Sequence, residues 1–195
     1  MDNNKHLTYQ DIKKSEEIRA YIQQADISLA ALGLTEHSFA HVTKCAEVAG
    51  KILTDLGYSD RKIELAKIAA FMHDIGNVVN RVDHAQSGAL MAFRILDKMG
   101  MPYDETAMIV NAIGNHDEAA AYPVNAIAAA VILADKTDVR RSRVRDKETI
   151  SSDIHDRVNY AVEKADLVLD EEKGIMTLNL TIDENISSVM DYFEI

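Results

Sequence analysis

The strongest chemical signal in the sequence is a histidine followed directly by an aspartate at the end of an apolar run, in the stretch FMHDIGN at 71–77. Burying two polar metal-binding groups on a hydrophobic face is costly unless a partner compensates them. Partners are available, because five of the seven histidines lie between residues 37 and 116 and acidic residues accompany several of them. The candidate groups are His37, His41, His73, Asp74, His84, His116, Asp117 and Asp135.

Mixed imidazole and carboxylate groups favour Zn, Mn, Fe or Ni, whereas Ca and Mg prefer oxygen ligands alone. Cys45 is the single cysteine, which excludes a thiolate cluster and a disulfide within the chain, and we interpret it as a small core residue. Asp135 follows the apolar run AIAAAVILA at 126–134. A carboxylate there opposes the helix dipole, and a bound cation would compensate both its charge and its burial.

Several other chemistries have no motif in the sequence. There is no GxxxxGK(S/T) phosphate loop, no GxSxG nucleophile elbow and no CxxC pair. The motif HSFAH at 37–41 has the histidine spacing of a zinc-protease helix, but Ser38 stands where the catalytic glutamate would be. A metalloprotease is therefore poorly supported.

The net charge of −11 argues against binding to long nucleic acid or to an anionic membrane, since most of the surface would repel either partner. No stretch approaches the ~20 apolar residues that a membrane span needs. The first ten residues lack the charged-then-apolar pattern of a signal peptide, and a single cysteine fits a reducing compartment. We therefore expect a cytoplasmic protein without membrane or long nucleic-acid partners.

The elements that position these groups are expected to be helices, because Ala, Leu, Ile, Lys and Glu dominate and only two prolines and eight glycines interrupt the chain. Apolar residues at helical intervals, bounded by glycines and capping residues, predict the individual segments. Asp83 with Gln86 is typical of a capping box, and Pro123 suits the first turn of a helix. The predicted helices span about 9–32, 35–56, 60–74, 83–98, 104–115, 123–145 and 153–164.

The apolar period changes near the C-terminus. In IMTLNLTI at 175–182 apolar and polar residues alternate, as in a half-buried strand, and DLVLD at 166–170 supplies a hairpin partner across the turn EEKG. We predict an all-α fold with a small C-terminal β-hairpin. A helical domain would cover 1–165, and a hairpin with a short terminal helix, appended to the same domain, would cover 166–195. The hairpin could cap the bundle or mediate a homodimer.

These motifs, in this order, resemble those of the HD-domain superfamily of metal-dependent phosphohydrolases. HVTKCAEVAGKIL carries His41 on a helix, AAFMHDIGN carries the pair His73 and Asp74, and AVILADKTD carries the distant Asp135. DHAQSGA and VNAIGNHDE are similar to the additional histidine elements of two-metal branches, including the ribonuclease Y and cyclic-di-nucleotide-cleaving branches. The resemblance covers about 35–145 and implies an HD-domain-like helical bundle.

The resemblance also implies metal-binding roles for most of the candidate groups. One divalent ion would be bound by His41, His73, Asp74 and Asp135. Asp74 would bridge to a second ion bound by His84 and His116, and these three would be the catalytic residues. Asp117 stands where the family often has a further histidine, and a carboxylate can also ligate. The one or two divalent ions could be Mn, Fe, Ni, Co, Zn or Mg.

Three further positions bear on substrate binding. The family motif is often followed by lysine, but here Asn77 stands in that place, so Arg81 could supply the phosphate contact instead or be a solvated loop charge. His37 lies one helical turn before His41 on the same face. It could reach a further ion or a substrate phosphate, or serve only as a hydrogen-bonding group.

A cationic segment, KTDVRRSRVRDK at 136–147, begins beside Asp135. On the predicted helix Lys136, Arg140 and Arg143 share one face and could hold phosphate oxygens beside the metals. The alternative is a solvated helix terminus whose cations favour the dipole or pair with acidic surface groups.

The residues and the resemblance together predict a metal-dependent phosphohydrolase that cleaves a phosphate ester of a nucleotide or small phosphorylated metabolite by metal-activated hydroxide. Phosphomonoesterase and phosphodiesterase activity both stay open. The alternatives are a di-iron oxygenase of the HD-like type and a non-catalytic regulator that binds a nucleotide through the metals.

Overall fold

A computed structural model describes residues 6–117, 121–170 and 172–194 of the chain. Helices make up most of this structure, and two antiparallel strands form a hairpin near the C-terminus, so the predicted fold class is confirmed. Within the described residues, no helix combines the length and the apolar character that a bilayer crossing requires. The elements are α1 (Tyr9–Lys14), α2 (Glu16–Ala31), α3 (Phe39–Asp55), α4 (Asp60–Met72), α5 (His84–Lys98), α6 (Tyr103–Gly114), α7 (Ala126–Thr137), α8 (Ile154–Ala161), β1 (Val162–Asp170), β2 (Ile175–Ile182) and α9 (Val189–Tyr192).

The main core forms between α3, α4 and α7, because each of these helices buries several apolar side chains. The buried face of α3 includes Val42, Ala46 and Leu53, and α4 buries Ala69 and Phe71 completely. Small alanine side chains let the helices approach closely, and each large apolar side chain removed from water contributes roughly 1.5–3 kcal/mol. This packing fixes the relative positions of the three segments that carry the first predicted ligands.

A tight turn brings the end of α4 against α5. The 3-10 helix Ile75–Val78 follows α4, and its Gly76 lies directly against the first turns of α5. A Cβ atom on Gly76 would lie 1.9 Å from the backbone oxygen of His84 and 2.5 Å from the backbone nitrogen of Gly88. Glycine is therefore required at this close approach, which sets Asp74 beside the start of α5.

Three helix starts differ in detail from the sequence prediction. Ser15 divides the first predicted helix, because its backbone is extended (φ −64°, ψ 118°) and its side chain caps α2. α3 begins after Ser38 rather than Thr35, since the Ser38 hydroxyl accepts the N–H of Ala40. Asp83 does precede α5, but its φ is 56° and its side chain makes no capping bond, so the predicted capping box is not formed.

The prediction of one long helix over 123–145 is wrong. α7 is capped by Asn125, whose side chain accepts two backbone N–H groups of the first turn, and Pro123 lies before the helix. The helix ends where Asp138 leaves the helical conformation, at φ −82° and ψ 61°. The basic residues that follow lie in a loop and a 3-10 turn, so the three cations predicted on one helical face do not share one.

The C-terminal hairpin begins earlier than predicted, because β1 replaces the last residues of the helix expected over 153–164. The two strands pair antiparallel with Leu167 opposite Leu178, and exposure alternates along β2 as the sequence pattern predicts. Leu167 and Met176 pack against the main core. Residue 171, in the predicted turn, lies outside the described residues.

Candidate metal centre

Two histidines and two carboxylates from three helical segments converge in the protein interior. His41 lies in the first turn of α3, His73 and Asp74 follow α4, and Asp135 lies in the last turn of α7. Nε2 of His41 lies 3.4 Å from Nε2 of His73 and 3.2 Å from Oδ1 of Asp135. Oδ2 of Asp74 lies 3.1 Å from Nε2 of His73 and 3.5 Å from Nε2 of His41. We call these four residues the first ligand group.

A second ligand group shares Asp74 with the first. Oδ1 of Asp74 lies 3.4 Å from Nε2 of His84, at the start of α5, and 3.9 Å from Nε2 of His116, just after α6. The Nε2 atoms of His84 and His116 are 3.2 Å apart, and Oδ1 of Asp117 lies 3.9 Å from Nε2 of His84. The two oxygens of one carboxylate thus face two separate groups, as a bridging ligand requires.

Asn77 holds this shared carboxylate in place. Its side-chain amide donates to Oδ1 of Asp74 at 2.8 Å and to the backbone oxygen of Asp74 at 3.0 Å. Asn77 is also buried, so its amide faces the protein interior. The residue that stands in place of a lysine therefore orients Asp74.

The five histidines in and beside the two ligand groups each have their Nδ1 atom engaged. The rings of His37, His73, His84 and His116 donate Nδ1–H to backbone oxygens at 2.7–3.0 Å, and His41 donates to Oδ2 of Asp138 at 2.8 Å. A neutral ring that carries its hydrogen on Nδ1 has its lone pair on Nε2. The Nε2 lone pairs therefore face the carboxylates, which is the arrangement that metal-binding histidines use.

A divalent cation fits the first ligand group. Oδ2 of Asp74 is buried and has no hydrogen-bond partner among the described residues. Ligand atoms around a cation with bonds of about 2.1 Å are separated by about 3.0–3.4 Å. The separation from Nε2 of His73 to Asp74 is 3.1 Å, within this range, and the separation to Asp135 is 3.6 Å, slightly above it. The second group offers the same donor types at wider spacing.

The charges of the first ligand group also favour a cation. Although burial opposes ionisation, the neighbouring histidines hold the pKa of Asp74 and of Asp135 well below the usual value. Burial likewise opposes a charge on His41 and His73, but hydrogen bonds and ion pairs with carboxylates raise the pKa of both rings well above 6.5. The two carboxylates therefore draw positive charge, which either protons or a metal ion can supply.

Two of the histidines in or beside these groups are held neutral, His116 of the second ligand group and the neighbouring His37. Burial lowers the pKa of His37 to about 3 and the pKa of His116 to about 4. Nε2 of His37 lies 4.0 Å from Oδ2 of Asp74, so His37 borders the first ligand group without joining it. A neutral ring keeps its lone pair, which suits His116 as a metal ligand.

Asp138, for which the sequence predicts no role in the site, orients His41 of the first ligand group. Its side chain is completely buried, and its Oδ1 accepts hydrogen bonds from Lys44 and Arg140, both at 2.9 Å, while Oδ2 accepts from His41. Asp138 follows Asp135 by about one helical turn, and this spacing was the available signal. Arg140 also pairs with Glu36 at 2.8 Å.

A cavity of about 170 Å³ opens beside both ligand groups. Arg81, Lys136 and Arg143 line it, so three of the four cations predicted to bind substrate reach the site. Arg140 does not line the cavity, and its Nε donates to Oδ1 of Asp138 at 2.9 Å. It follows the end of α7, so it does not share a helical face with Lys136.

The rest of the cavity wall comes from the C-terminal part of the chain. Asp153, His155 and Asn159 from the α8 region and Tyr192 from α9 line it. The sequence patterns predict no catalytic or binding role for these residues. Their approach to the ligand groups depends on how the hairpin and α9 fold back, which no local pattern encodes.

Cys45 packs against the ring of His41. Its Sγ atom lies 3.7 Å from both ring nitrogens of His41 and is buried. Equal distances place the thiol beside the ring rather than along the Nε2 lone pair, in keeping with a core residue.

Comparisons with known proteins identify the family. The HD domain family model matches residues 38–194. The chain is 24% identical over 192 residues to the uncharacterized protein MJ1020 of Methanocaldococcus jannaschii. This alignment covers 87% of this chain and 74% of that protein. It is also similar to the crystal structure of a predicted HD superfamily hydrolase from an uncultured Thermotogales bacterium. That match has a TM-score of 0.51 and 27% sequence identity, and it covers 64% of this chain and 67% of that one. The resemblance inferred from the motifs is therefore confirmed, and the chain belongs to the HD domain family.

Proposed function

We propose that the protein is a metal-dependent phosphohydrolase that cleaves a phosphate ester of a nucleotide or small phosphorylated metabolite. The observation that carries the proposal is the division of Asp74 between two ligand groups, with Oδ2 toward His73 and Oδ1 toward His84. Two cations bridged ~3.5–4 Å apart are the arrangement that two-metal phosphoryl transfer uses. The similar Thermotogales protein is described as a predicted hydrolase, which supports the same reaction class.

The bound ions would supply Lewis acidity, which lowers the pKa of a coordinated water toward ~7 and offsets charge on the phosphate. The histidines of the two groups would hold the ions through their Nε2 lone pairs, with the Nδ1–H bonds fixing each ring. Among the described residues, no serine or cysteine lines the cavity. A water molecule is therefore the expected nucleophile.

Cavity cations would bind the phosphate group and balance the acidic character of the chain. Arg81 lies beside the second ligand group, with Nη1 3.3 Å from Nε2 of His84. Arg143 is largely buried, and its guanidinium donates to the backbone oxygens of Glu36 and Asp138 at 3.0 and 2.9 Å. A guanidinium held this rigidly loses little freedom when it binds a phosphate oxygen.

The size of the cavity favours a small substrate. Its volume of about 170 Å³ suits the phosphate end of a metabolite. The net charge of −11 would repel a long polyanion from the surrounding surface. Nucleotides and small phosphorylated metabolites fit both observations.

Metal analysis of the purified protein, followed by a panel of phosphomonoesters and phosphodiesters, tests the proposal. We expect hydrolysis that requires an added divalent ion. The variant Asp74→Ala should lose this activity, whereas Asp97→Ala, an exposed control on α5, should retain it. Absence of turnover with Mn, Fe, Ni, Co, Zn and Mg would contradict the proposal. Nucleotide binding without turnover would favour the regulator instead.

One observation favours a second candidate function, a di-iron oxygenase. The paired Nε2 atoms of His84 and His116, 3.2 Å apart, are donors that suit iron. Anaerobic reconstitution with iron, followed by parallel assays of oxygen consumption and phosphate release, separates the two functions. Oxygen consumption without phosphate release would favour the oxygenase.

A further inference from the structure

We propose that His155 is the proton donor to the leaving oxygen of the phosphate ester. The inference rests on the proposed phosphohydrolase function and assigns a step that the two ligand groups leave without a residue. His155 lies in the first turn of α8 and lines the same cavity as Asp74, His84 and Lys136. It therefore belongs to the wall that the C-terminal part of the chain adds to the site.

The ring of His155 is available for proton transfer, in contrast to the other histidines of the cavity. Among residues 6–117, 121–170 and 172–194, its ring makes no hydrogen bond or ion pair, and the residue is exposed to solvent. The rings of His37, His84 and His116 each donate Nδ1–H to a backbone oxygen. Those rings are fixed as ligands or neighbours of ligands, whereas the ring of His155 has no such partner among the described residues.

The position of His155 is fixed by its own backbone. The side-chain amide of Asn159 donates to the backbone oxygen of His155 at 2.9 Å, and Asp153 caps the helix by accepting the N–H of Asp156 at 2.9 Å. These bonds therefore hold the backbone of the first turn of α8, while the imidazole of His155 makes none among the described residues. This combination suits a proton donor that must follow a leaving group.

The other polar residues of this wall are less suited to the step. Asn159 has no acidic proton, and its side-chain oxygen accepts the backbone N–H of Arg140 at 3.2 Å. The hydroxyl of Tyr192 donates to the backbone oxygen of Lys136 at 3.3 Å, and burial raises its pKa, which makes it a weaker acid. The carboxylate of Asp153 is engaged at the helix cap. His155 remains as the donor.

The proposed step balances without any further reactant. The oxygen of a water molecule bonds to phosphorus as the bond between phosphorus and the ester oxygen breaks. The electron pair of the broken bond stays on the ester oxygen, which takes the proton of protonated His155 and leaves as a neutral alcohol. The proton lost by the water passes to solvent, and the neutral imidazole regains a proton from solvent.

The dependence of rate on the leaving group tests this role, because an alkoxide needs a proton to leave and a nitrophenolate does not. Metal-loaded wild-type protein, His155→Gln and His6→Gln are assayed with ethyl phosphate and 4-nitrophenyl phosphate, and with the corresponding diesters in parallel. His6 is a matched control, since it pairs with Glu105 at 3.4 Å and does not line the cavity. Metal content per chain is measured for all three proteins.

We expect His155→Gln to lower kcat/KM for the ethyl ester about 10²–10⁴-fold, the usual contribution of general acid catalysis. The nitrophenyl ester and the metal content should be nearly unchanged, and His6→Gln should match the wild type on both esters. Equal losses on the two esters, or no loss on the ethyl ester, would overturn the role of His155 alone. Wild-type protein that cleaves only nitrophenyl esters would also overturn it. Wild-type protein that cleaves no ester would overturn the phosphohydrolase function and this inference together.

Discussion

The carboxylate of Asp138 accepts a hydrogen bond of 2.8 Å from Nδ1 of His41, across 97 residues of sequence. Both side chains are completely buried, so the contact ties the loop after α7 to the start of α3. The bond also fixes the tautomer of His41 and directs its Nε2 atom toward the other ligands. A carboxylate outside the predicted ligand set thus sets the orientation of a candidate metal ligand.

Asp138→Asn should weaken metal binding without removing any ligand. The amide loses the negative charge that stabilises the His41 tautomer, and changes of this kind typically cost 10–100-fold in metal affinity. Calorimetric titration of metal-free protein with Mn or Zn measures the effect, and Asp97→Asn on α5 is an exposed control. Equal affinity in the two variants would contradict the supporting role of Asp138.

Metal-free protein should lose stability as the pH rises above neutrality. The pKa of His41 and of His73 is raised well above 6.5 in the folded chain. Protons on these rings therefore stabilise the fold fully below pH ~6.5, and this stabilisation is lost as the pH rises through the raised pKa. Metal ions compete with the same protons, so metal affinity should increase over the same range.

Thermal melts of metal-free and metal-loaded protein between about pH 6 and pH 9 check this sign. The Tm of the metal-free protein should fall across the range, and the increase in Tm caused by metal should be largest at the alkaline end. A metal-free Tm that rises with pH would contradict the charges assigned to the first ligand group.

Arg81→Ala should weaken substrate binding, whereas Arg140→Ala should weaken the fold. Arg81 lines the cavity, and a lost charge-assisted hydrogen bond to phosphate costs about 1.5–3 kcal/mol, or roughly 10–100-fold in KM. Arg140 instead bonds Asp138 at 2.9 Å and Glu36 at 2.8 Å, so its removal leaves buried acceptors with fewer donors and lowers Tm. Steady-state kinetics and thermal melts of both variants separate the two effects. An equal increase in KM would show that the placement of Arg140 is wrong.

The structure brings together the residues that the sequence motifs single out, because each motif lies at or near the end of a helix. Helical periodicity and glycine stops place His73 and His116 at such ends, and the packing of apolar faces then brings the ends together. The residues that orient these ligands are harder to predict from the sequence. Asp138 acts through a partner 97 residues away, and this pairing depends on how α3 and α7 pack.

The same contact explains why the cationic segment was predicted wrongly. Residues 138–145 contain no proline or glycine, so local propensity favours a continued helix. The bonds of Asp138 to His41 and Lys44 override that propensity and end α7. The approach of His155 to the cavity is likewise a product of tertiary packing, which single-sequence patterns do not contain.

Gly76→Ala should destabilise the fold and displace the shared ligand Asp74. The new Cβ would lie 1.9 Å from the backbone oxygen of His84, and overpacking against fixed backbone costs about 1–3 kcal/mol or more. Gly114→Ala in α6 is the matched control, because its Cβ would meet only the Cβ of Ala89, at an ordinary 3.6 Å. This control should be neutral or up to about 1 kcal/mol more stable. Urea unfolding of both variants measures the difference, and equal stabilities would contradict the close packing at Gly76.

Metal content per chain, measured by elemental analysis on wild-type protein and Asp74→Ala after identical reconstitution, tests the central claim most directly. The dispersed histidines and carboxylates should retain up to two divalent ions per chain in the wild type, because Asp74 serves both ligand groups. Asp74→Ala should retain none while its circular dichroism stays helical. Wild-type protein without divalent metal, or a variant that keeps the full wild-type content, would contradict the account.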